Sequence, residues 1–208
     1  MMINIIIAFF ISYIIGAIPF AFILTRFMTG KDVRKIGSGN VGATNASRAM
    51  GFKYGVLVAL LDLLKGYVAV SLTKIILPDN LASYYLLGAS LLIIIGHNWS
   101  VFLSFSGGKG VATTLGVFLN LVPLTFVIFI IVWFTVVILT KYVSLASILG
   151  ALSSPIISII FYNNSYITLF SCLVAILIIL RHYSNLNRLI RGRERRFSFP
   201  PGKKNKEG

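Results

Sequence analysis

Residues 111–140 read VATTLGVFLNLVPLTFVIFIIVWFTVVILT, an uninterrupted apolar run, and the way this run is divided decides the fold. As one helix its 30 residues would extend about 45 Å at about 1.5 Å per residue, well past a hydrocarbon core of about 30 Å. Asn120-Leu121-Val122-Pro123 supplies a turn in the middle, so the run splits into two helices, the first short. Further apolar stretches lie at 3–24, 54–77, 81–96, 145–162 and 163–180. The split therefore gives seven spans instead of six.

Charge tests the division. With seven spans, segments 25–53, 97–110, 141–144 and 181–208 share one side of the membrane, and they hold 17 of the 19 lysines and arginines. With six, the basic carboxyl-terminal segment would emerge opposite the other clusters, against the positive-inside rule. The expectation is an all-α integral membrane protein with seven transmembrane helices, amino terminus outside and carboxyl terminus cytoplasmic. Residues 1–196 form its membrane domain, and 197–208 form a basic, disordered tail.

Composition agrees. Hydrophobic residues make up 57% of the 208 and charged residues 12%, at a mean hydropathy of +0.92; soluble domains carry about 25% charged residues. The continuous runs lack the period-two alternation of a barrel strand. Five acids, two histidines and one cysteine leave little from which to build a metal site, and the lone Cys172 excludes an intrachain disulfide. The first apolar segment follows Met1 without a basic region or a small-residue cleavage site, and is read as a retained helix.

Function should lie where the chain stops resembling membrane filler, and three polar islands do so on the basic side. The first is Gly37-Ser38-Gly39-Asn40-Val41-Gly42-Ala43-Thr44-Asn45, followed by Arg48. Its glycines allow left-handed backbone and close approach of amides to an anion, and an arginine can hold phosphate with two prongs. A flexible interhelical loop is the alternative. The second is Gly96-His97-Asn98-Trp99-Ser100, then Ser106-Gly107-Gly108-Lys109-Gly110 opening the next helix, with Thr113 and Thr114 beyond. A helix amino terminus, free amides and a lysine favour a bound anion. This is not a Walker A loop, because Leu103 and Gly110 stand where that motif needs Gly and Ser or Thr. The alternative is a headgroup contact on a glycine turn.

The third island, Arg181 to Arg188 with Gly192 and Glu194, places His182 and Asn185 three apart, on one face of a continuing helix. On such a helix Arg188 would lie on another part of the surface. A snorkelling basic helix end would account for the arginines but not for His182, Asn185 or Glu194. Asp62 and Lys65 form a fourth feature, an i,i+3 pair inside the second span, functional or a structural ion pair.

Gly37-Ser38-Gly39-Asn40-x-Gly42-Ala43-Thr44-Asn45, Gly96-His97-x2-Ser100-x-Phe102-Leu103-x-Phe105-x-Gly107-Gly108-Lys109-Gly110-Val111-Ala112-Thr113 and Arg181-His182-x2-Asn185-x2-Arg188-x3-Gly192-x-Glu194 closely resemble the three motifs of the bacterial acyl-phosphate:glycerol-3-phosphate acyltransferases, the PlsY family. Asp62-Leu63-Leu64-Lys65-Gly66 and Tyr142-Val143-Ser144-Leu145-Ala146-Ser147 also look like that family. The resemblance spans about 3–196, with the motifs in order.

The resemblance implies a small seven-span enzyme of the bacterial cytoplasmic membrane, active at the cytoplasmic face. It would move a fatty acyl group from acyl phosphate to the sn-1 hydroxyl of glycerol 3-phosphate, giving lysophosphatidic acid and phosphate without metal or cofactor. The expected partners are the two substrates and membrane lipid, not nucleic acid, and the expected state is a monomer. The roles that follow are expectations. Ser38, Arg48, His182 and Asn185 hold and orient glycerol 3-phosphate, while Lys109 and the amides near Gly107 and Gly108 hold the acyl-phosphate end. Ser147 lines the site, and Gly37, Gly39, Asn40, Asn45, His97, Gly110, Thr113, Arg188, Gly192 and Glu194 contribute to substrate binding. The proton goes either to His182 or to a substrate phosphate oxygen; the resemblance leans toward the latter. An acyl phosphate is an activated anhydride, so positioning and charge stabilisation carry most of the work.

Two other classes fit the composition. A transporter of a small phosphorylated solute could use the same basic loops as a vestibule, although the spans offer only Asp62 and Lys65 for a midplane site. A non-enzymatic lipid binder would track total positive charge and tolerate Ser38→Ala or Asn185→Ala.

Overall fold

The computed structural model describes residues 2–77 and 82–197, and every regular element in them is helical. α1 (Met2–Ala17) breaks at Ile18-Pro19 and continues as α2 (Phe20–Thr29). A short α3 (Ala43–Met50) leads into the long α4 (Phe52–Ile76), and α5 (Ala82–Asn98) follows. Then come α6 (Val111–Leu121), α7 (Pro123–Thr140), α8 (Val143–Ile157) closed by a π-helical turn at Ser158–Tyr162, α9 (Ser165–Arg181) and α10 (Tyr183–Ile190).

The division inside 111–140 falls where the sequence places it. α6 ends at Leu121, Val122 leaves helical geometry at φ −142°, and Pro123 opens α7 from its first position, where the missing N–H costs nothing. Among the described residues, five helical segments are long and apolar enough to cross a membrane, and a sixth, α9 with α10, qualifies but is bent by 63°; α6 is shorter than a span. The first of these segments runs to Thr29, five residues beyond the apolar stretch, because α2 resumes the helix after Pro19. Asn163 takes the left-handed conformation at φ 43°, and the Asn164 side chain then caps α9, accepting from the N–H groups of Tyr166 and Ile167.

Small residues let these helices close on one another. A Cβ on Gly16 would overlap the Ile93 carbonyl, and one on Gly96 would overlap that of Tyr13, so α1 and α5 pack backbone to backbone. α4 and α6 do the same through Gly66 and Gly116. In lipid, where apolar side chains gain little by leaving the tails, such close contact is a principal source of helix association. The main core centres on Phe118, whose ring meets Phe129 and Phe170 edge-on at 6.4 and 6.2 Å, with Ile93, Ile94, Val174 and Ile178 around it. A second cluster of Ala21, Val33, Val41, Ala46, Val58 and Leu103 seats the loops on the helix ends. The outer faces of α7 and α9 expose Ile131, Phe134, Ile138, Leu169 and Ile176, as helices bathed in hydrocarbon do.

Of the tail expected from 197, only Phe197 falls in the described residues. It donates its N–H to the Lys141 carbonyl at 2.7 Å and packs its ring on Phe52.

Candidate active site

The first island folds around one side chain. Asn45 donates to the carbonyls of Val33 and Ile36 at 3.0 and 2.9 Å and accepts the Ser38 N–H at 3.0 Å. Its amide is thereby spent on shaping the loop. Gly37 and Gly39 adopt φ of 57° and 72°, whereas Gly42 is extended. This leaves Ser38 exposed, Asn40 half-buried and Arg48 packed beside Gly37.

The second island is clamped from both sides. Gly108 donates its N–H to the His97 carbonyl at 3.0 Å, while Arg181 donates from Nε to the Gly108 carbonyl at 3.0 Å and from Nη2 to that of Gly107 at 3.2 Å. The Arg181 guanidinium also lies 5.1 Å over the Trp99 ring. Gly110 turns left-handed at φ 79° and opens α6. A Cβ on Gly108 would overlap His97 Nε2, so only glycine lets this loop lie on the imidazole. Thr113 is fully buried, its backbone against Gly66 in the α4–α6 contact.

The third island departs from a continuing helix. α9 stops at Arg181, His182 sits at φ −100°, ψ 8° in the bend, and α10 leaves at 63°. His182 and Asn185 are both buried here. The His182 Nδ1 lies 2.8 Å from the Ile178 carbonyl, which can only accept, so Nδ1 carries hydrogen and Nε2 is left as the basic nitrogen. Past α10, Gly192 at φ 65° turns the chain back and Arg193 closes the turn onto the Arg188 carbonyl at 2.7 Å. That return brings in Glu194. One carboxylate oxygen accepts from Asn185 Nδ2 at 2.6 Å and Ser144 Oγ at 2.9 Å, and the other from Arg188 Nε at 2.7 Å. Arg188 thus reaches the same group as Asn185 despite its different helical position, because Glu194 folds across both.

The islands meet at Lys109, whose ammonium donates to Asn185 Oδ1. Its pKa is lowered to about 8, by burial first and by the charges of Arg188, Arg181 and Arg48, with Glu194 opposing. Arg48 likewise lies below its ordinary value, through burial and then Arg195 and Arg188, against Glu194. Burial would raise Glu194, but the hydrogen bonds from Asn185, Arg188 and Ser144 outweigh it and hold the carboxyl below its ordinary value. His182 is pushed down to about 4 by burial and by the Lys109 charge, so it is neutral at physiological pH. Three cations from the three islands, Arg48, Lys109 and Arg188, therefore lie about a single carboxylate, while Arg181 clamps the loop that carries Lys109. They are under-neutralised, which is the electrostatic condition for receiving an anion.

Besides Thr113, two expected residues stand elsewhere. His97 is buried beneath the loop, its Nδ1 3.0 Å from Lys65 Nζ. Ser147 donates to the Val143 carbonyl and accepts from Trp133 Nε1 at 3.3 Å, while Ser144, one helical turn earlier, is the serine bonded to Glu194. Ser144 and Arg181 went without assigned roles in the sequence. Each lies in a polar stretch bordering a span, but their partners are set by how α8 and α9 dock.

A model of the family described as glycerol-3-phosphate acyltransferase matches residues 6–192. The glycerol-3-phosphate acyltransferase of Desulforamulus reducens is 44% identical over 183 residues, 88% of this chain and 90% of that protein. The crystal structure of PlsY (YgiH), an integral membrane glycerol 3-phosphate acyltransferase, superposes with a TM-score of 0.87 in its glycerol 3-phosphate form, at 38% identity, covering 93% of this chain and 96% of that one. Its lysophosphatidic acid form gives a TM-score of 0.84 at 36% identity, covering 93% and 95%. With its helical fold and 88% to 93% of its length matched by these proteins, the chain belongs to the glycerol-3-phosphate acyltransferase family.

Proposed function

We propose that this multi-pass membrane acyltransferase, whose acceptor is glycerol 3-phosphate, takes its acyl group from acyl phosphate, delivers it to the sn-1 hydroxyl and releases lysophosphatidic acid and inorganic phosphate. The observation that carries the reading is the cation ring of Arg48, Lys109 and Arg188 about Glu194, with Arg181 holding the Lys109 loop and Lys109 in contact with Asn185. Two phosphorylated substrates need cations in excess of the local acids, and the donor leaves as phosphate.

Lys109 and the amides of the Gly107–Gly110 loop at the start of α6 hold the acyl-phosphate end, where charge grows on the leaving phosphate as the anhydride bond breaks. Arg48, Ser38 and Arg188 hold glycerol 3-phosphate, and His182 Nε2 with Asn185 orients its hydroxyl. The hydroxyl oxygen attacks the acyl carbon and its proton passes to a phosphate oxygen of a substrate. A histidine whose conjugate acid sits at about 4 is a weak base, and this supports the phosphate oxygen as the acceptor. Gly37, Gly39, Asn40, Asn45, Gly192 and Glu194 shape the cradle.

In this reading α6 counts as a span despite its length, giving seven. The amino terminus is outside, residues 1–196 work as one monomeric unit in the bacterial cytoplasmic membrane, and the site faces the cytoplasm. The distribution of 17 of the 19 cations supports this orientation. The acyl chain then enters from lipid and the acceptor from water. Transport of a phosphorylated solute is not favoured, because Asp62 and Lys65, the ionisable pair within α4, are bound to each other at 2.9 Å.

The test is incubation of detergent-purified protein with palmitoyl phosphate and glycerol 3-phosphate. Phosphate release requiring both substrates, with lysophosphatidate appearing, is the expected result. Turnover with a thioester donor alone overturns the choice of donor, and uptake of labelled glycerol phosphate into empty liposomes without product revives transport.

A further inference from the structure

Beneath the Gly107–Lys109 loop lies a buried group of charges outside the cation ring. Lys65 Nζ sits 2.9 Å from Asp62 Oδ1, 2.7 Å from the Ile18 carbonyl and 3.0 Å from His97 Nδ1. All three ionisable side chains are buried, and the Lys65 ammonium also lies 5.7 Å over the Phe20 ring. An ammonium has three hydrogens and no lone pair. It is saturated here only if His97 Nδ1 accepts, which leaves the His97 proton on Nε2.

The three acceptors belong to three different elements. Asp62 is on α4, one turn before Gly66, the glycine against which α6 packs. Ile18 is the residue at which Pro19 interrupts the first helix, so its carbonyl has no helical partner to receive. His97 lies in the last turn of α5 and bears on the loop: its carbonyl accepts the Gly108 N–H at 3.0 Å and its ring lies against the Gly108 Cα hydrogens. Lys109 is the next residue. The charges are therefore connected to Lys109 through His97 and the Gly108 it contacts.

We infer that Lys65 and His97, with Asp62, are positioning residues: the ammonium pins the first-helix break to the end of α5, and the imidazole so fixed sets the height of the Gly107–Lys109 loop against Asn185. This assigns His97 a place under the loop instead of on a substrate. A buried charge with one partner removed is costly to the fold, whereas removing both partners together is often tolerated, so the paired Asp62/Lys65 variant removes the strut without leaving a lone buried charge. The inference deepens the proposed function and rests on it for the substrates it reads.

The experiment compares His97→Leu, His97→Asn and the paired Asp62→Asn/Lys65→Met protein with the unaltered enzyme, using palmitoyl phosphate and glycerol 3-phosphate. His97→Leu should lower kcat at least tenfold and raise KM for palmitoyl phosphate more than KM for glycerol 3-phosphate. His97→Asn, which restores an acceptor near the Nδ1 position, should recover most of the loss. The paired variant, which touches no loop atom, should show the same split between the two KM values. The stacking of Arg181 on Trp99 adds a readout that needs no turnover: in a Trp133→Phe background, His97→Leu and the paired variant should both shift Trp99 emission. A paired variant with unaltered kinetics and emission overturns the inference, as does His97→Asn no better than His97→Leu. Absence of turnover in the unaltered enzyme would instead strike the proposed function, with the emission shift still deciding the strut.

Discussion

Lys109 carries its charge at a cost, and that cost can be read in two opposite directions. Burial and the neighbouring arginines move its pKa from 10.5 to about 8. At about 1.4 kcal/mol per tenfold change, holding the ammonium in the resting site costs on the order of 3 kcal/mol. A phosphate dianion beside it removes most of that cost, so the free energy appears as substrate and transition-state binding. The active form is the protonated lysine, which is lost as pH rises. We expect kcat/KM for palmitoyl phosphate to be level up to about pH 7, to turn near 8, and to fall about tenfold per pH unit above it. kcat, which reports the loaded enzyme, should turn at higher pH. Phosphate release between pH 6 and 10, corrected for spontaneous donor hydrolysis, measures both. Lys109→Arg stays charged throughout and should lose the alkaline limb. Lys109→Met should lower kcat/KM by about a hundredfold, the equivalent of about 3 kcal/mol. The same variant removes a charge that the fold holds at a loss below pH 8, so its melting temperature at pH 7 should rise. A limb that persists in Lys109→Arg, or a Lys109→Met protein that melts several degrees lower, would refute the reasoning.

Gly108→Ala should raise both KM values and cut turnover at least a hundredfold while the protein still inserts, since its Cβ would overlap His97 Nε2; steady-state kinetics on protein of normal elution volume checks this. His182→Gln should lose no more than about a hundredfold in kcat if the side chain orients the hydroxyl without taking its proton, general-base roles being worth about 10² to 10⁴. A larger loss, within the general-base range, would return the proton to His182. Glu194, held below its ordinary 4.5 by its hydrogen bonds, contributes stability that is fully present above pH 4.5 and disappears as pH falls through its lower folded value. Thermal melts from pH 6 to 3 should show that component in the native protein and not in Glu194→Gln.

The helices and the break at Val122-Pro123 were legible because apolar length and proline chemistry are local properties. The glycine loops were legible for the same reason, Gly37, Gly39 and Gly110 being at positive φ. What the sequence misplaced depended on direction in space. His182 and Asn185 were expected to share a continuing helix, yet the chain bends at His182, and Glu194 returns over α10 to join Asn185 to Arg188. Asn45 is as polar as a ligand, but three hydrogen bonds to its own loop consume it. Ser144 and Ser147 lie three apart in one helix, and only the docking of α8 shows that Ser144 is the one to reach Glu194. His97 belongs to the sharpest motif in the chain, but the structure puts it under the loop with Lys65.

α6 is eleven residues long and rises about 16 Å, roughly half the depth of an average bilayer's oily interior. Its far end is finished by polar groups, with Lys74 donating to the Asn120 carbonyl at 3.2 Å and the Asn120 amide donating to Tyr67 and Ser71. Ser71 and Lys74 lie close to where α4 ends at Ile76, so this far end is level with the end of a full-length span and the shortfall falls at the other end, where we expect headgroups and water to dip toward the loop. Membrane thickness then acts on the protein as a mechanical load, and the helix under load is the one whose loop-side tip carries Lys109. Turnover in phosphatidylcholines of increasing tail length should fall once the bilayer exceeds what this dimple can absorb, coupling the making of new phospholipid to the physical state of the old.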